Sequence, residues 1–261
     1  MIKKATVTVL GSGTSQGVPV IACSCAVCAS EDTKDNRLRC AILVAFDDAN
    51  YVIDSGPDFR QQMLREKVKS LSAVIFTHEH KDHLAGLDDV RAFNFVEKRD
   101  MEVYCTDRVE DALRREFHYV FDADKYPGVP RLNLNRIHKD EVFELSNGAE
   151  VTPIEVKHFN LPVLGFRIGD FTYITDAKTI SEEEKQKVRG TKTLIVNALR
   201  EQQHVSHFNL EEALDFIKEM NPECAYLTHI SHLFGKHGDI EQLLPENVFV
   251  AYDGLKIEIE V

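Results

Sequence analysis

No window of this 261-residue chain is apolar for long enough to span a membrane. It also lacks a linker, a low-complexity run or an internal period, so a single domain over 1–261 is expected. Positive charge is short: 31 Lys and Arg against 43 Asp and Glu leave −12 with His neutral. That balance argues against a generic binder of nucleic-acid polymers or anionic membranes, although bound metal ions could still supply a local positive site. The N-terminus has no continuous apolar stretch. Its alternation of Thr and Val, Met1 to Leu10, reads as a strand rather than a signal peptide, and a cytoplasmic location is expected. Without an export signal, the six cysteines do not read as a disulfide framework.

What the chain does have is ordinary globular composition, 43% hydrophobic and 28% charged, and a concentration of metal-ligating side chains. An apolar run, Leu71 to Phe76, reads as a buried strand and gives way to Thr77-His78-Glu79-His80-Lys81-Asp82-His83. His78, His80, Asp82 and His83 offer imidazole and carboxylate ligands suited to zinc, manganese or iron(II). Their spacing lets the first His pair face one ion and the Asp-His pair a second. Only eleven His occur in the chain, which makes this density unlike an accidental polar turn. Cys23-x-Cys25-x-x-Cys28 is a second cluster; three thiolates leave a tetrahedral zinc site one ligand short. Cys40, Cys105 and Cys224 are isolated and read as small buried hydrophobes.

Along the chain, Gly11-Ser12-Gly13-Thr14-Ser15-Gln16-Gly17 has neither the spacing nor the following helix of a dinucleotide loop, and reads as a tight turn near the active site. Ala41–Phe46 and Tyr51–Asp54 predict a hairpin. Asp54 then either orients a ligand His or caps a helix over Pro57–Lys67. A helix is expected from Leu84, a strand at Met101–Cys105 and a helix over Asp107–Phe117. Phe117 to Pro130 reads as a packed loop, with a lid over substrate as the alternative. Strands follow at 141–145, 150–156, 164–168 and 171–175, with a turn at Gly169-Asp170. Helices over 181–188 and 210–220, the second with an Asn209/Glu212 capping box, alternate with strands at 193–196 and 225–228. Val248 to Val261 reads as a hairpin about Asp253-Gly254.

Three more ligand candidates stand at strand ends: His158, Asp176 and His229. A carboxylate such as Asp176 can bridge two ions through its two oxygens, which an imidazole cannot do.

With these residues in view the chain resembles the metallo-β-lactamase superfamily, and more closely the PhnP-type cyclic-phosphate phosphodiesterases and their tRNase Z relatives. The resemblance rests on the histidine motif, on Gly11 to Pro19, on the cysteine cluster and on Leu227-Thr228-His229-Ile230-Ser231-His232. It implies an α/β fold, the four-layer αβ/βα sandwich. It implies that His78, His80 and His158 hold one divalent ion, Asp82, His83 and His229 a second, and that Asp176 bridges them. It implies that His232 completes a structural zinc site with Cys23, Cys25 and Cys28. His207 matches a family general acid, ahead of a helix N-terminus that would favour phosphate, with His204 as the alternative. The implied reaction is attack of hydroxide, formed between two cations (zinc or manganese, with iron a further option), on a small or cyclic phosphodiester. Asp82 and His207 are the residues expected to carry it. A tRNase Z-like ribonuclease and an iron-dependent oxidoreductase of the same fold are the alternatives. Relatives are often homodimers, but no interface is legible here.

Overall fold

The computed structural model describes residues 3–124 and 126–261. Met1 and Ile2 of the expected first strand and Lys125 of the expected loop lie outside the described residues. The first half of the chain supplies β1 (Lys4–Gly11), β2 (Ala41–Ala45), β3 (Asn50–Ile53), β4 (Ala73–Ile75), β5 (Met101–Cys105) and β6 (Leu132–Arg136). The second supplies β7 (Phe143–Glu144), β8 (Glu150–His158), β9 (Leu161–Ile168), β10 (Phe171–Ile174), β11 (Thr179–Ile180), β12 (Thr193–Asn197), β13 (Cys224–Thr228), β14 (Val248–Val250) and β15 (Lys256–Glu260). One sheet runs β15-β1-β2-β3-β4-β5-β6, and the other β11-β8-β9-β10-β12-β13-β14 with β7 beside β8.

Three apolar layers hold these sheets. Val7, Val9, Ile42, Tyr51 and Ile75 meet Phe166, Tyr173 and Ile195 between them. Behind the first sheet, Leu43, Val52, Val74 and Val103 pack under α1 (Phe59–Arg65), α3 (Arg91–Glu97) and α4 (Asp107–Glu116). The short turn α2 (Lys81–Leu84) precedes α3, and α5 (His118–Phe121) follows α4. Behind the second sheet, Ile154, Val196 and Leu227 pack under α6 (Glu182–Val188), α7 (Leu210–Met220) and α8 (His237–Glu241). Strands buried on both faces read as continuous apolar runs, which is why Ala73-Val74-Ile75 shows no alternation. The result is the αβ/βα sandwich.

Several expectations shift. The helix read from Leu84 is broken: α2 lies inside the histidine motif, a 3-10 turn covers Leu87–Val90, and α3 starts at Arg91. The hairpin read at Val248–Val261 does not form. β14 pairs parallel with β13, whereas β15 pairs antiparallel with β1 in the other sheet. Asp253-Gly254 therefore turns the chain from one sheet to the other. Gly254 has φ +89, and the Asp253 carboxylate accepts from the Ser12 and Leu38 amides, an arrangement a crossover needs as much as a hairpin does. Cys40 and Cys105 are buried as expected, but Cys224 is only half-buried. Part of the 117–130 segment is helical, as α5, with Phe117 and Val120 buried beneath it. The capping box is present: Asn209 accepts from the Glu212 amide and Glu212 from the Asn209 amide.

Candidate metal centre

Parallel pairings place the C-terminal ends of β3, β4 and β5 at one edge of the first sheet, and those of β10, β12 and β13 together in the second. Polar side chains collect at such ends, where backbone groups leave the ladder and a crevice opens. Asp54 follows β3, Thr77 and His78 follow β4, Asp176 follows β10, and His229 follows β13. β8 is antiparallel to β9, which is antiparallel to β10, so His158 at the end of β8 reaches the same edge as Asp176. Asp54, Asp176 and His229 all sit in the left-handed region, with φ of 67, 57 and 58°. Such conformations cost about 1–3 kcal/mol each for most residues, and cluster where a side chain must be aimed.

The aim converges. Nε2 of His83 lies 3.2 Å from Oδ2 of Asp82 and 3.2 Å from Oδ2 of Asp176, and Nε2 of His229 lies 3.3 Å from Oδ1 of Asp176. Ligand atoms around a tetrahedral zinc stand about 3.3–3.4 Å apart, given bonds of about 2.0–2.1 Å. Buried Nε2 atoms of His78, His83 and His229, and Nδ1 of His207, have no hydrogen-bond partner. Leaving that many polar atoms unmet is costly in a protein interior. These residues fit divalent cations.

Asp82, His83 and His229 form one tight group, as expected for one ion. The group expected for the other is more open. The His78 ring centroid is 4.6 Å from that of His80 and 6.2 Å from that of His158, and His80 and His158 are 5.2 Å apart. His158 instead groups with Asp176 and His207, and His78 with His83 and Asp176. Asp176 belongs to both of these and turns its two oxygens toward His83 and His229, which suits a bridging carboxylate.

Tautomers follow from the outer contacts. Asp54 Oδ2 accepts from His83 Nδ1 at 2.7 Å and from the Thr77 hydroxyl at 2.8 Å; Oδ1 accepts from the Thr77 amide at 2.9 Å. Since the Thr77 hydroxyl proton goes to Asp54, Nδ1–H of His78 donates to Thr77 Oγ1 at 3.0 Å. Nδ1–H of His158 donates to the Ser206 carbonyl at 2.8 Å. Each of these three rings is left with Nε2 for a ligand. Asp54 is thus the orienting carboxylate, and its reading as a helix cap is excluded.

Burial opposes a charge on His83, but Asp82, Asp54 and Asp176 outweigh it and hold the imidazolium well above the ordinary range. Burial and then His83 push His78 well below that range. Burial would raise Asp176, yet His229 and His83 hold it well below the usual carboxylate values. His207, 3.7 Å from Asp176, is pushed down to about 3 by burial and by His229, so the free protein carries it neutral. His204 stands further out, its ring 5.2 Å from His207 and its Nδ1 accepting from the Ser206 amide. The expected phosphate seat at the α7 N-terminus is already taken. Glu212, held by Lys178, accepts the Asn209 amide there, so a carboxylate occupies the place an anion would use.

Cys23, Cys25, Cys28 and His232 come together in a second group. Their sulfurs lie 3.3, 3.5 and 3.6 Å from Nδ1 of His232, against about 3.6 Å for a sulfur–nitrogen edge of a zinc tetrahedron. The Cys28 amide and His232 lower the Cys25 thiol to about 6, and burial raises Cys28 to about 11. The glycine-rich turn ties this loop to the centre: the Thr14 amide donates to the Ile230 carbonyl, and the Ile230 amide to that of Ser12.

Two orienting residues escaped the sequence. Asn197 at the end of β12 bonds both the amide and the carbonyl of Ala177, fixing the backbone beside Asp176. Thr175 donates to Asp176 Oδ2 at 2.7 Å. The available signal was a polar residue directly beyond an apolar strand.

A family model described as a beta-lactamase superfamily domain matches residues 49–230. The chain is 38% identical to a structure described as a new diphosphatase from the PhnP family, covering 100% of this chain and 99% of that one with a TM-score of 0.94. The chain therefore belongs to the metallo-β-lactamase superfamily and, within it, to the PhnP family. In class it is a protein of the metallo-β-lactamase fold. It is also 41% identical, over 96% of its length, to an octanoyltransferase of Porphyromonas gingivalis, but spans only 51% of that protein. Zinc-bound PqqB from Methylobacterium extorquens shares the fold, with a TM-score of 0.81 at 20% identity over 97% of this chain and 100% of that one. No helix among the described residues is long and apolar enough to cross a membrane.

Proposed function

We propose that this protein is a dinuclear metal-dependent phosphodiesterase acting on small or cyclic phosphodiesters. The observation that carries the reading is the convergence of unpartnered, buried Nε2 atoms of His83 and His229 on the two oxygens of Asp176, with His78 grouped beside His83 and Asp176. His78, His80 and His158 would hold one ion and Asp82, His83 and His229 the other, with Asp176 shared between them; Cys23, Cys25, Cys28 and His232 would hold a structural zinc. Divalent cations in such a centre supply an acidified water, with a pKa near ~7, and neutralise phosphoryl charge. The chain's own contribution is orientation and proton handling. Asp54 fixes the tautomers of His83 and, through Thr77, of His78. Asp82 lies beside His83 and His229 and supplies the carboxylate of that half of the centre. His207 enters neutral, takes up a proton from solvent as the anionic substrate raises its basicity, and delivers that proton to the leaving alkoxide.

The test is turnover of bis(p-nitrophenyl) phosphate, 2′,3′-cyclic nucleotides and a diphosphate-linked substrate by metal-reconstituted protein beside a metal-stripped control. Metal-dependent release of product from the phosphodiesters is expected. No turnover, or cleavage confined to the diphosphate, would refute the phosphodiesterase reading. Element analysis goes with it: zinc or manganese is expected, whereas stoichiometric iron with oxygen consumption would move the assignment to an oxidoreductase.

A further inference from the structure

The β8–β9 hairpin turns at Phe159-Asn160, directly after His158. Phe159 has φ of 56°, a left-handed conformation in which a bulky side chain is an outlier and where turn chemistry calls for Gly or Asn. Its ring is not buried in compensation: 61% of the residue is exposed. A strained backbone that carries an exposed aromatic gains nothing for the fold from the ring. Such strain persists where it serves a site.

The surroundings show which site. The His158–Ser206 hydrogen bond joins this hairpin tip to the 204–207 segment that carries His207. Val205, the residue before Ser206, is 66% exposed, a second apolar side chain in the open beside the same bond. The rings of His158 and His207 are 4.4 Å apart between them. Phe159 and Val205 are therefore exposed apolar residues, each one position along the chain from the His158–Ser206 bond, which lies beside a metal-ligand candidate and the proton donor.

We infer that Phe159, together with Val205, is the specificity-determining surface for the organic substituent of the substrate, and that it selects flat heteroaromatic groups such as a nucleobase over small alkyl groups. Stacking on one exposed aromatic is worth enough to separate a base from a methyl group by about tenfold. The inference rests on the phosphodiesterase reading for the reaction, not for the binding surface.

The experiment compares thymidine 5′-p-nitrophenyl phosphate with methyl p-nitrophenyl phosphate, which release the same p-nitrophenolate. The ratio of their kcat/KM values should fall about tenfold in Phe159→Asn and be retained in Phe159→Tyr. Because Asn tolerates the left-handed backbone, Phe159→Asn should melt at or above the wild-type temperature while losing selectivity. An unchanged ratio would overturn the inference. Calorimetric titration of the metal-loaded protein with thymidine 5′-phosphate and with methyl phosphate separates the two claims. If wild type turns over neither ester, the reaction assignment fails. A preference for the nucleotide that Phe159→Asn abolishes still upholds the surface, and equal affinity of wild type for the two phosphates sinks it.

Discussion

The buried carboxylate of Asp54 accepts a 2.7 Å hydrogen bond from Nδ1 of His83, turning the opposite nitrogen of that ring toward Asp82 and Asp176. The same oxygen accepts from Thr77, whose hydroxyl in turn accepts from His78, so one carboxylate sets rings on both sides of the centre. An amide in its place must present a donor to groups that are themselves donors. Asp54→Asn should weaken active-site metal affinity by about 10- to 100-fold, the usual effect of losing an outer partner. Competition with a chromophoric chelator measures it; affinity within twofold of wild type would contradict the role given to Asp54.

Backbone approach matters as much as hydrogen bonding here. A Cβ on Gly56 would stand 2.0 Å from the Asp82 carbonyl oxygen, so only glycine lets the Asp54-Ser55-Gly56 turn sit against α2. The Ser55 amide donates to the His83 carbonyl across that contact. Gly56→Ala should cost about 1–3 kcal/mol by forcing the two segments apart. It should also lower metal occupancy, because the segment that moves carries Asp82 and His83. Denaturant melts with metal analysis of the same samples would show both losses together.

The cysteine cluster should separate from this behaviour. Cys25→Ser removes a soft ligand from the Cys23, Cys25, Cys28 and His232 group and leaves the His and Asp set intact. The expected outcome is loss of one zinc per chain and a melting temperature lower by several degrees, with the active-site metal retained after gentle purification. Loss of all metals at once would mean that the two centres are one cooperative unit, joined through the step from His229 to His232.

How much of this was legible follows from what each signal encodes. The histidine motif, the cysteine cluster and the three strand-end candidates could be read because metal chemistry restricts residue type as well as spacing. Asp54 could be placed but not decided, since a carboxylate after a strand serves a helix cap or a histidine equally well until the fold brings His83 to it. Asn197 was missed because its task is to hold Ala177, a contact made only when β10 and β12 pair. β6 was missed as an edge strand whose Leu132-Asn133-Leu134-Asn135 alternation is polar on alternate positions and only partly buried. The Asp253-Gly254 turn was read correctly as a turn and wrongly as a hairpin, because local chemistry fixes a reversal and tertiary pairing decides which sheet receives the next strand.

The capping box offers a clean stability test away from the metals. Asn209 and Glu212 satisfy each other's amides at the start of α7, whose Ala213, Phe216, Ile217 and Met220 cover the second sheet. Asn209→Ala should destabilise the protein by about 1 kcal/mol. An unchanged denaturation midpoint would show that water replaces the cap without loss.

The last expectation concerns proton delivery by His207. In the free protein its imidazole is neutral across the physiological range, pushed to about 3 by burial and His229. Once protonated from solvent on substrate binding, it matters as a donor only when the leaving group needs a proton. p-Nitrophenolate departs unaided, whereas the alkoxide leaving from a 2′,3′-cyclic nucleotide does not. His207→Ala should therefore lower kcat for the cyclic nucleotide by about 10²- to 10⁴-fold and leave bis(p-nitrophenyl) phosphate far less affected. Metal content checks that the centre survives, since Nδ1 of His207 lies close to Asp176. An equal loss on both substrates with metals in place would make His207 a phosphoryl-positioning group. The proton would then have to come from elsewhere, with His204 the next candidate by position.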